Sequence, residues 1–354
     1  MLVASLLAFR FGPAILFAVV LAAPVTDPWL APALGEARLE ETTIPGDRRI
    51  RADLYRPPAP RQAMLLVHGL SPAGRRQPDL ARLAQLLARR DTLVMVPHFE
   101  GLAAFQLSGQ EVDEIGAGIA RLTRLAGPGI PVVVAGFSFG AGPALVAAAA
   151  APGVHRVACF GGYADLRHVV AYVTTGTHGF GARRYAQKFE EYNRWKLLAL
   201  LAGLIDDAGD RERLIEIAAG KLVNPLGDTA AQEAELGVDG RAVMAIVLNR
   251  REDAVPALLA NLGHRTRDAM DRLSPLPAAA ALGGRLLLVH GQGDDSIPFT
   301  ESLRLAEAAG ARARTVILRG FHHTGPAPTW SALLDRAADG GRLVGVVDDL
   351  LTVR

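Results

Sequence analysis

Ser138 sits at the centre of Gly136-Phe137-Ser138-Phe139-Gly140, a G-x-S-x-G pentapeptide. The apolar run Pro131-Val132-Val133-Val134-Ala135 leads into it, and an Ala-rich stretch ended by Pro152 leads out. A strand that turns at once into a helix holds its apical residue in a strained backbone conformation and presents that side chain to a reactant. Small residues two positions to either side let the neighbouring backbones approach. The N–H groups and dipole at the helix start favour a developing oxyanion. In a chain with 37 glycines the pentapeptide alone recurs by chance; its place between strand and helix makes Ser138 a candidate covalent nucleophile. A serine needs a base to take its proton, and the base needs an acid to orient it. Both types lie downstream. His290-Gly291-Gln292-Gly293-Asp294-Asp295-Ser296-Ile297-Pro298 carries two adjacent carboxylates, and Arg319-Gly320-Phe321-His322-His323-Thr324 carries two adjacent imidazoles. The order is serine, acid, histidine, which suits acyl transfer on a strand–turn–helix nucleophile.

The elements that must position these groups alternate in kind. Residues 37–44 and 50–55 have strand character around the turn Pro45-Gly46-Asp47-Arg48 and read as an antiparallel pair. Residues 64–67, 93–96, 131–135 and 154–160 are short apolar strands of the type buried on both faces of a sheet. Between them, residues 79–90 and 112–125 show helical spacing. Strands alternating with helices predict a parallel sheet with its site at the carboxyl ends of the strands. The alternation stops from about Asp165 to Leu282, where the pattern is mainly helical and Tyr185, Phe189, Tyr192 and Trp195 fall on one stripe. That stripe packs the insertion onto the core or lines a lipophilic pocket, the packing role being the more common. The alternation resumes with a strand at 285–289, a helix at 301–309 and a strand at 315–318. A last helix spans 330–351, with a break expected at Gly340-Gly341. The acid pair and the histidine pair each follow one of these late strands.

Composition narrows the class. The chain has 354 residues, half of them hydrophobic, and a formal net charge of +2 with acids and bases interspersed, which argues against a nucleic-acid partner. Its single cysteine, Cys159, excludes an intramolecular disulfide. The isolated histidines His155, His168, His178 and His264 suggest no metal site, and no glycine-rich nucleotide loop appears, so no cofactor is implied. Residues 1–25 are almost wholly apolar. They read as a signal peptide, with Arg10 ahead of a 13-residue apolar run and Val20-Leu21-Ala22 as a cleavage site, or as a membrane anchor. A buried N-terminal helix is the other reading. Residues 26–35, with two prolines, form a spacer.

Taken with these motifs, the chain resembles the α/β-hydrolases, in particular the lidded serine esterases and lipases. The resemblance covers residues 36–165 and 283–354, with 166–282 in the place of the family's variable helical cap. It implies a mostly parallel central sheet flanked by helices. The family's H-G-x-x-D-x-x-(V/I)-P segment, matched at 290–298, selects Asp294 as the acid, with Asp295 the alternative. The family's G-x-x-H ending, matched at 320–323, selects His323 as the base, with His322 the alternative. Asp165, where some relatives carry the acid, is expected to cap the start of the insertion instead. Val67-His68-Gly69-Leu70 resembles the family's H-G loop, which implies an oxyanion hole from the backbone N–H groups of Leu70 and Phe139, with His68 tying the loop down. The loop Pro97-His98-Phe99-Glu100-Gly101 differs from many relatives, which carry an Asp and an Arg there. The implied reaction is hydrolysis of a small or lipid-like carboxylic ester through an acyl-enzyme, in an exported or membrane-anchored protein of unassigned oligomeric state. Competing readings are a peptidase, thioesterase or acyltransferase on the same triad, a non-catalytic binding protein on a hydrolase fold, and a lipid-surface protein whose N-terminal segment is its main function.

Overall fold

The computed structural model describes residues 2–46, 48–187, 190–322, 325–326 and 332–352. Six strands come first: β1 (Arg38–Ile44), β2 (Ile50–Arg56), β3 (Gln62–Val67), β4 (Thr92–Pro97), β5 (Val132–Phe137) and β6 (Val154–Phe160). Then follow β7 (Thr177–Phe180), β8 (Arg183–Ala186), β9 (Arg285–Gly291), β10 (Ala313–Leu318), β11 (Phe321–His322) and β12 (Gly325–Pro326). Eight of them form one sheet in the order β1-β2-β4-β3-β5-β6-β9-β10. β1 pairs antiparallel with β2, and β2 antiparallel with β4; every later pairing in the sheet is parallel.

Every residue of β3 and β4 is buried, as their unbroken apolar runs require of strands covered on both faces. Side chains alternate between the two faces. Leu65, Val67, Met95 and Val134 pack with Ile119, Leu122 and Leu145 from the helices Gln110–Ala126 and Ala141–Ala150. Met64, Leu66, Val94 and Val133 pack on the other face with Leu80 and Leu87 from the helix Pro78–Ala88 and Val347 from the helix Ala332–Leu351. That last helix runs straight through Gly340 and Gly341, where the sequence suggested a break. Burial of Val346, Val347 and Leu350 offsets the cost of two glycines, about 1 kcal/mol each.

Between β6 and β9 lie several helices, including Leu166–Thr175, Glu191–Ala202, Ala208–Val223 and His264–Leu273, together with the hairpin β7–β8. The expected aromatic stripe is not one stripe. Tyr185 sits on β8 and stacks on His178, while Tyr192 is exposed and Trp195 buried on the helix Glu191–Ala202; Phe189 lies outside the described residues. Asp165 does cap this region, accepting the N–H of Arg167 at 2.8 Å.

The N-terminal segment forms the helix Leu2–Ala22, which turns by 111° into Pro24–Leu30. Ala14, Phe17 and Val20 are buried in the same cluster as Leu80, Leu87, Val346 and Leu350, whereas Ile15 and Val19 on the opposite side are exposed. Arg82 fastens the bend, donating to the Asp27 carboxylate at 2.6 and 2.7 Å and to the Val20 carbonyl. Among the described residues no single helix is long and apolar enough to cross a membrane.

Candidate active site

β5 ends at Phe137, and a single 3-10 turn, Ser138–Gly140, leads straight into the helix Ala141–Ala150. Ser138 has φ +52°, a left-handed conformation that a non-glycine residue adopts only when its surroundings impose it. The surroundings here do. A Cβ on Gly136 would lie 2.5 Å from the Ala141 Cα and 2.9 Å from the Ala144 Cβ, and one on Gly140 would strike the carbonyl oxygen of His68. The two small residues of the pentapeptide therefore let strand, helix and the neighbouring loop close around the serine.

That neighbouring loop follows β3. His68 is 1% exposed; its Nδ1 lies 2.8 Å from the Gly69 carbonyl and its Nε2 accepts the Phe99 N–H at 3.0 Å. With Nε2 accepting, Nδ1 carries the proton and donates to Gly69, so the ring is the neutral tautomer. Burial pushes its pKa down to about 4, with the Gly69 hydrogen bond opposing the shift, which keeps it neutral. The imidazole thus bridges the loops after β3 and β4 and has no nitrogen left for chemistry. A few residues on, Arg75 pairs with Asp53 of β2, both side chains buried, and reaches Glu41 of β1 at 3.0 Å.

Ser138, Phe139, His68, Gly69 and Leu70 all line one cavity of about 770 Å³. The expected nucleophile and the two residues expected to supply oxyanion N–H groups are thereby brought together. Val173, Asn193, Lys196 and Leu197 close the cavity from the region between β6 and β9, and Leu21 closes it from the N-terminal helix. Cys159, on the adjacent strand β6, is 1% exposed, and burial pushes its thiol up to about 12, which leaves it unsuited to nucleophilic work.

The acid pair follows β9. Asp294 is 2% exposed, and its Oδ1 accepts the N–H groups of Ser296 and Ile297, each at 2.9 Å. Asp295 is less buried and receives the Ser296 hydroxyl at 3.3 Å. The buried carboxylate with fixed orientation is Asp294. Three residues not singled out in the sequence hold its loop: Tyr172 donates to the Asp294 carbonyl at 2.8 Å, Gln187 to the Gly293 carbonyl at 2.8 Å, and Asn193 to the Asp295 carbonyl at 3.0 Å. No local motif marks them, because their partners lie more than a hundred residues away. His290 at the end of β9 contacts the Ser302 hydroxyl of the helix Thr300–Ala309 through Nδ1 and the Ile297 carbonyl through Nε2, and that Nε2 also lies 3.4 Å from Asp294 Oδ2.

His323 lies outside the described residues. The chain reaches it from β10 through β11, where His322 pairs by its backbone with Gly325. Phe321, two residues before His323, lines the Ser138 cavity, and its carbonyl accepts the Gly293 N–H at 3.4 Å.

Comparisons with known proteins agree on the architecture. No family model matches the chain, and no curated protein matches it. Among solved structures, a puromycin-hydrolyzing peptidase of Mycobacterium tuberculosis is similar at TM-score 0.51 and 18% identity over 90% of this chain and 39% of its own. An uncomplexed Pyrococcus horikoshii acylaminoacyl peptidase gives 0.51 and 14% over 92% and 43%. A 2,6-dihydroxy-pseudo-oxynicotine hydrolase gives 0.50 and 15% over 93% and 70%. The chain thus spans about two-fifths of either peptidase's length. The fold is the α/β-hydrolase fold. At these identities the likeness shows the fold and leaves the chemistry to the site.

Proposed function

We propose that the chain is a serine hydrolase that cleaves a carboxylic ester through an acyl-enzyme on Ser138. The observation that carries this reading is the +52° φ of Ser138 on a strand-to-helix elbow whose side chain faces a cavity shared with Leu70 and Phe139. In the proposed reaction His323 takes the Ser138 proton as the hydroxyl oxygen attacks the ester carbonyl. Asp294 fixes the imidazole tautomer and stabilises the imidazolium, and the N–H groups of Leu70 and Phe139 hold the tetrahedral oxyanion. The alcohol leaves with the proton, and water cleaves the acyl-enzyme by the same general-base route. The lining of the cavity is largely hydrocarbon, which suits an ester with an apolar body. Hydrolysis of 4-nitrophenyl butyrate and octanoate tests the reading. Wild-type protein turns over at least one of them and Ser138→Ala falls to background; equal rates in the two proteins overturn it.

Export or anchoring by residues 1–25 belongs to the same proposal, on the strength of their composition. The burial of Phe17 and Val20, with the Arg82–Asp27 pair, favours the rival reading of a retained helix that forms part of the fold. The mass of the mature protein and its partition between membrane and aqueous fractions decide between them: loss of the helix shows export, a retained helix in the membrane fraction shows an anchor, and a retained helix in the aqueous fraction shows a part of the fold.

A further inference from the structure

The cavity beside Ser138 has charged side chains at three places: Asp79, Arg82 and Lys196. Two are accounted for. Arg82 spends its fork on Asp27 and the Val20 carbonyl. Asp79 stands in the first turn of the helix Pro78–Ala88, where the helix dipole favours a carboxylate, and it accepts the Gln77 amide at 3.2 Å. Lys196 is different. It enters the cavity from the helix Glu191–Ala202, and its ammonium lies 4.2 Å from the centre of the Tyr192 ring. No ion pair to it within 4.0 Å occurs among the described residues. Burial lowers its pKa, while the charges of Asp295 and Asp294 act against that shift from a distance. Both of those carboxylates belong to the acid loop and are engaged there. Among the described residues the cavity therefore holds one partly desolvated cation with no counter-ion within 4.0 Å, in a wall otherwise built from residues such as Leu21, Leu80, Leu83, Phe137, Val173 and Leu197.

We propose that Lys196 is a substrate-binding residue that receives a single carboxylate carried by an otherwise apolar ester bound at Ser138. The inference rests on the serine-hydrolase reading and names the substrate class within it: an amphiphilic ester with one free acid group. A monoanion fits better than a phosphate dianion, because one ammonium is available and the Asp79 carboxylate shares the cavity. A Lys–carboxylate contact in a partly dry cavity is charge-assisted and stronger than a neutral hydrogen bond, so it discriminates an ester bearing the acid from its neutral counterpart.

The test compares matched esters. On the acyl side the pair is 4-nitrophenyl hydrogen suberate and 4-nitrophenyl octanoate; on the alcohol side it is the octanoyl esters of 6-hydroxyhexanoate and of 1-hexanol. Wild-type protein is expected to prefer the acid in one pair by about tenfold in kcat/KM, chiefly through KM, the size of one charge-assisted contact. Lys196→Met loses that preference while still hydrolysing the neutral ester, Lys196→Arg keeps it, and raised salt weakens it. Turnover of the neutral esters with no preference for either acid, or a preference that survives in Lys196→Met, overturns the role of Lys196 and leaves the serine-hydrolase reading intact. No turnover of any ester by folded protein, with Ser138 unreactive to a fluorophosphonate, overturns both.

Discussion

Gly69→Ala offers a sharp test of how closely the loop after β3 fits the nucleophile. An added Cβ at position 69 would lie 2.9 Å from the Ser138 Cβ, 3.0 Å from the Phe137 carbonyl oxygen and 3.5 Å from the Ser138 hydroxyl oxygen. Carbon atoms pack at about 3.5–4.0 Å, so the new methyl intrudes by at least about 0.6 Å. Neither neighbour yields easily: one is the root of a short side chain and the other is backbone. Ser138 or the Gly69–Leu70 peptide must move by a comparable distance, and Leu70 is the proposed oxyanion donor. A misplacement of about 1 Å near the reacting atoms costs about 100-fold in rate, or about 2.7 kcal/mol of transition-state stabilisation. Overpacking costs about 1–3 kcal/mol of stability, so the domain stays folded. The assay is the rate of fluorophosphonate labelling and of 4-nitrophenyl ester hydrolysis, beside urea unfolding. Gly116→Ala is the control, because its added Cβ meets nothing within 4 Å and sits in a helix interior, where alanine is the better residue. A Gly69→Ala protein with wild-type labelling and turnover would refute the geometric account of the oxyanion loop.

Other consequences are as direct. Asp294→Asn keeps an oxygen to accept the N–H groups of Ser296 and Ile297 but loses the charge that fixes the base, so kcat should fall by ~10³–10⁴, whereas Asp295→Asn should stay close to wild type; equal losses in the two variants would reject the choice of acid. His68 is neutral in the fold with a pKa of about 4 against an ordinary value of 6.5, so the unfolded chain binds the extra proton first as pH falls. Its contribution is complete above about pH 6.5 and is lost on the way down to pH 4, amounting to about 3 kcal/mol, with His178 adding in the same window. Urea unfolding at pH 7, 5.5 and 4 reads this loss, and His68→Asn should flatten the dependence. Phe17→Ala in a chain that retains its N-terminal helix should cost about 3–5 kcal/mol for the cavity it leaves; no change in unfolding would show that the helix is not part of the folded core.

The parts of the site that were legible in the sequence are those whose neighbours in space are neighbours in the chain. The elbow is of this kind: β5, Gly136, Ser138, Gly140 and the following helix are contiguous, and the conformation depends on them and on one loop. The buried turn at Asp294 is another, because its carboxylate caps N–H groups two and three residues on. In the region between β6 and β9 the helical character and the Asp165 cap were legible, but the packing was not. Tyr185 is held on β8 by stacking against His178 and by an edge contact with Phe299, far along the chain, and that packing overrides a helical spacing. Tyr172, Asn193 and Lys196 act through residues from distant segments, so no spacing reveals them. The N-terminal helix shows a different limit. An apolar run reads alike whether it is an export signal, an anchor or a buried helix; what places Phe17 in the core is its company with Val346 and Leu350 from the far end of the chain.

The most direct test of the central claim is fluorophosphonate labelling of the folded protein, with the modified residue identified by peptide mass. One label per chain on Ser138, absent in Ser138→Ala and strongly reduced in His323→Ala, is the predicted result. Folded wild-type protein that takes up no label, or labels at a residue other than Ser138, would contradict it.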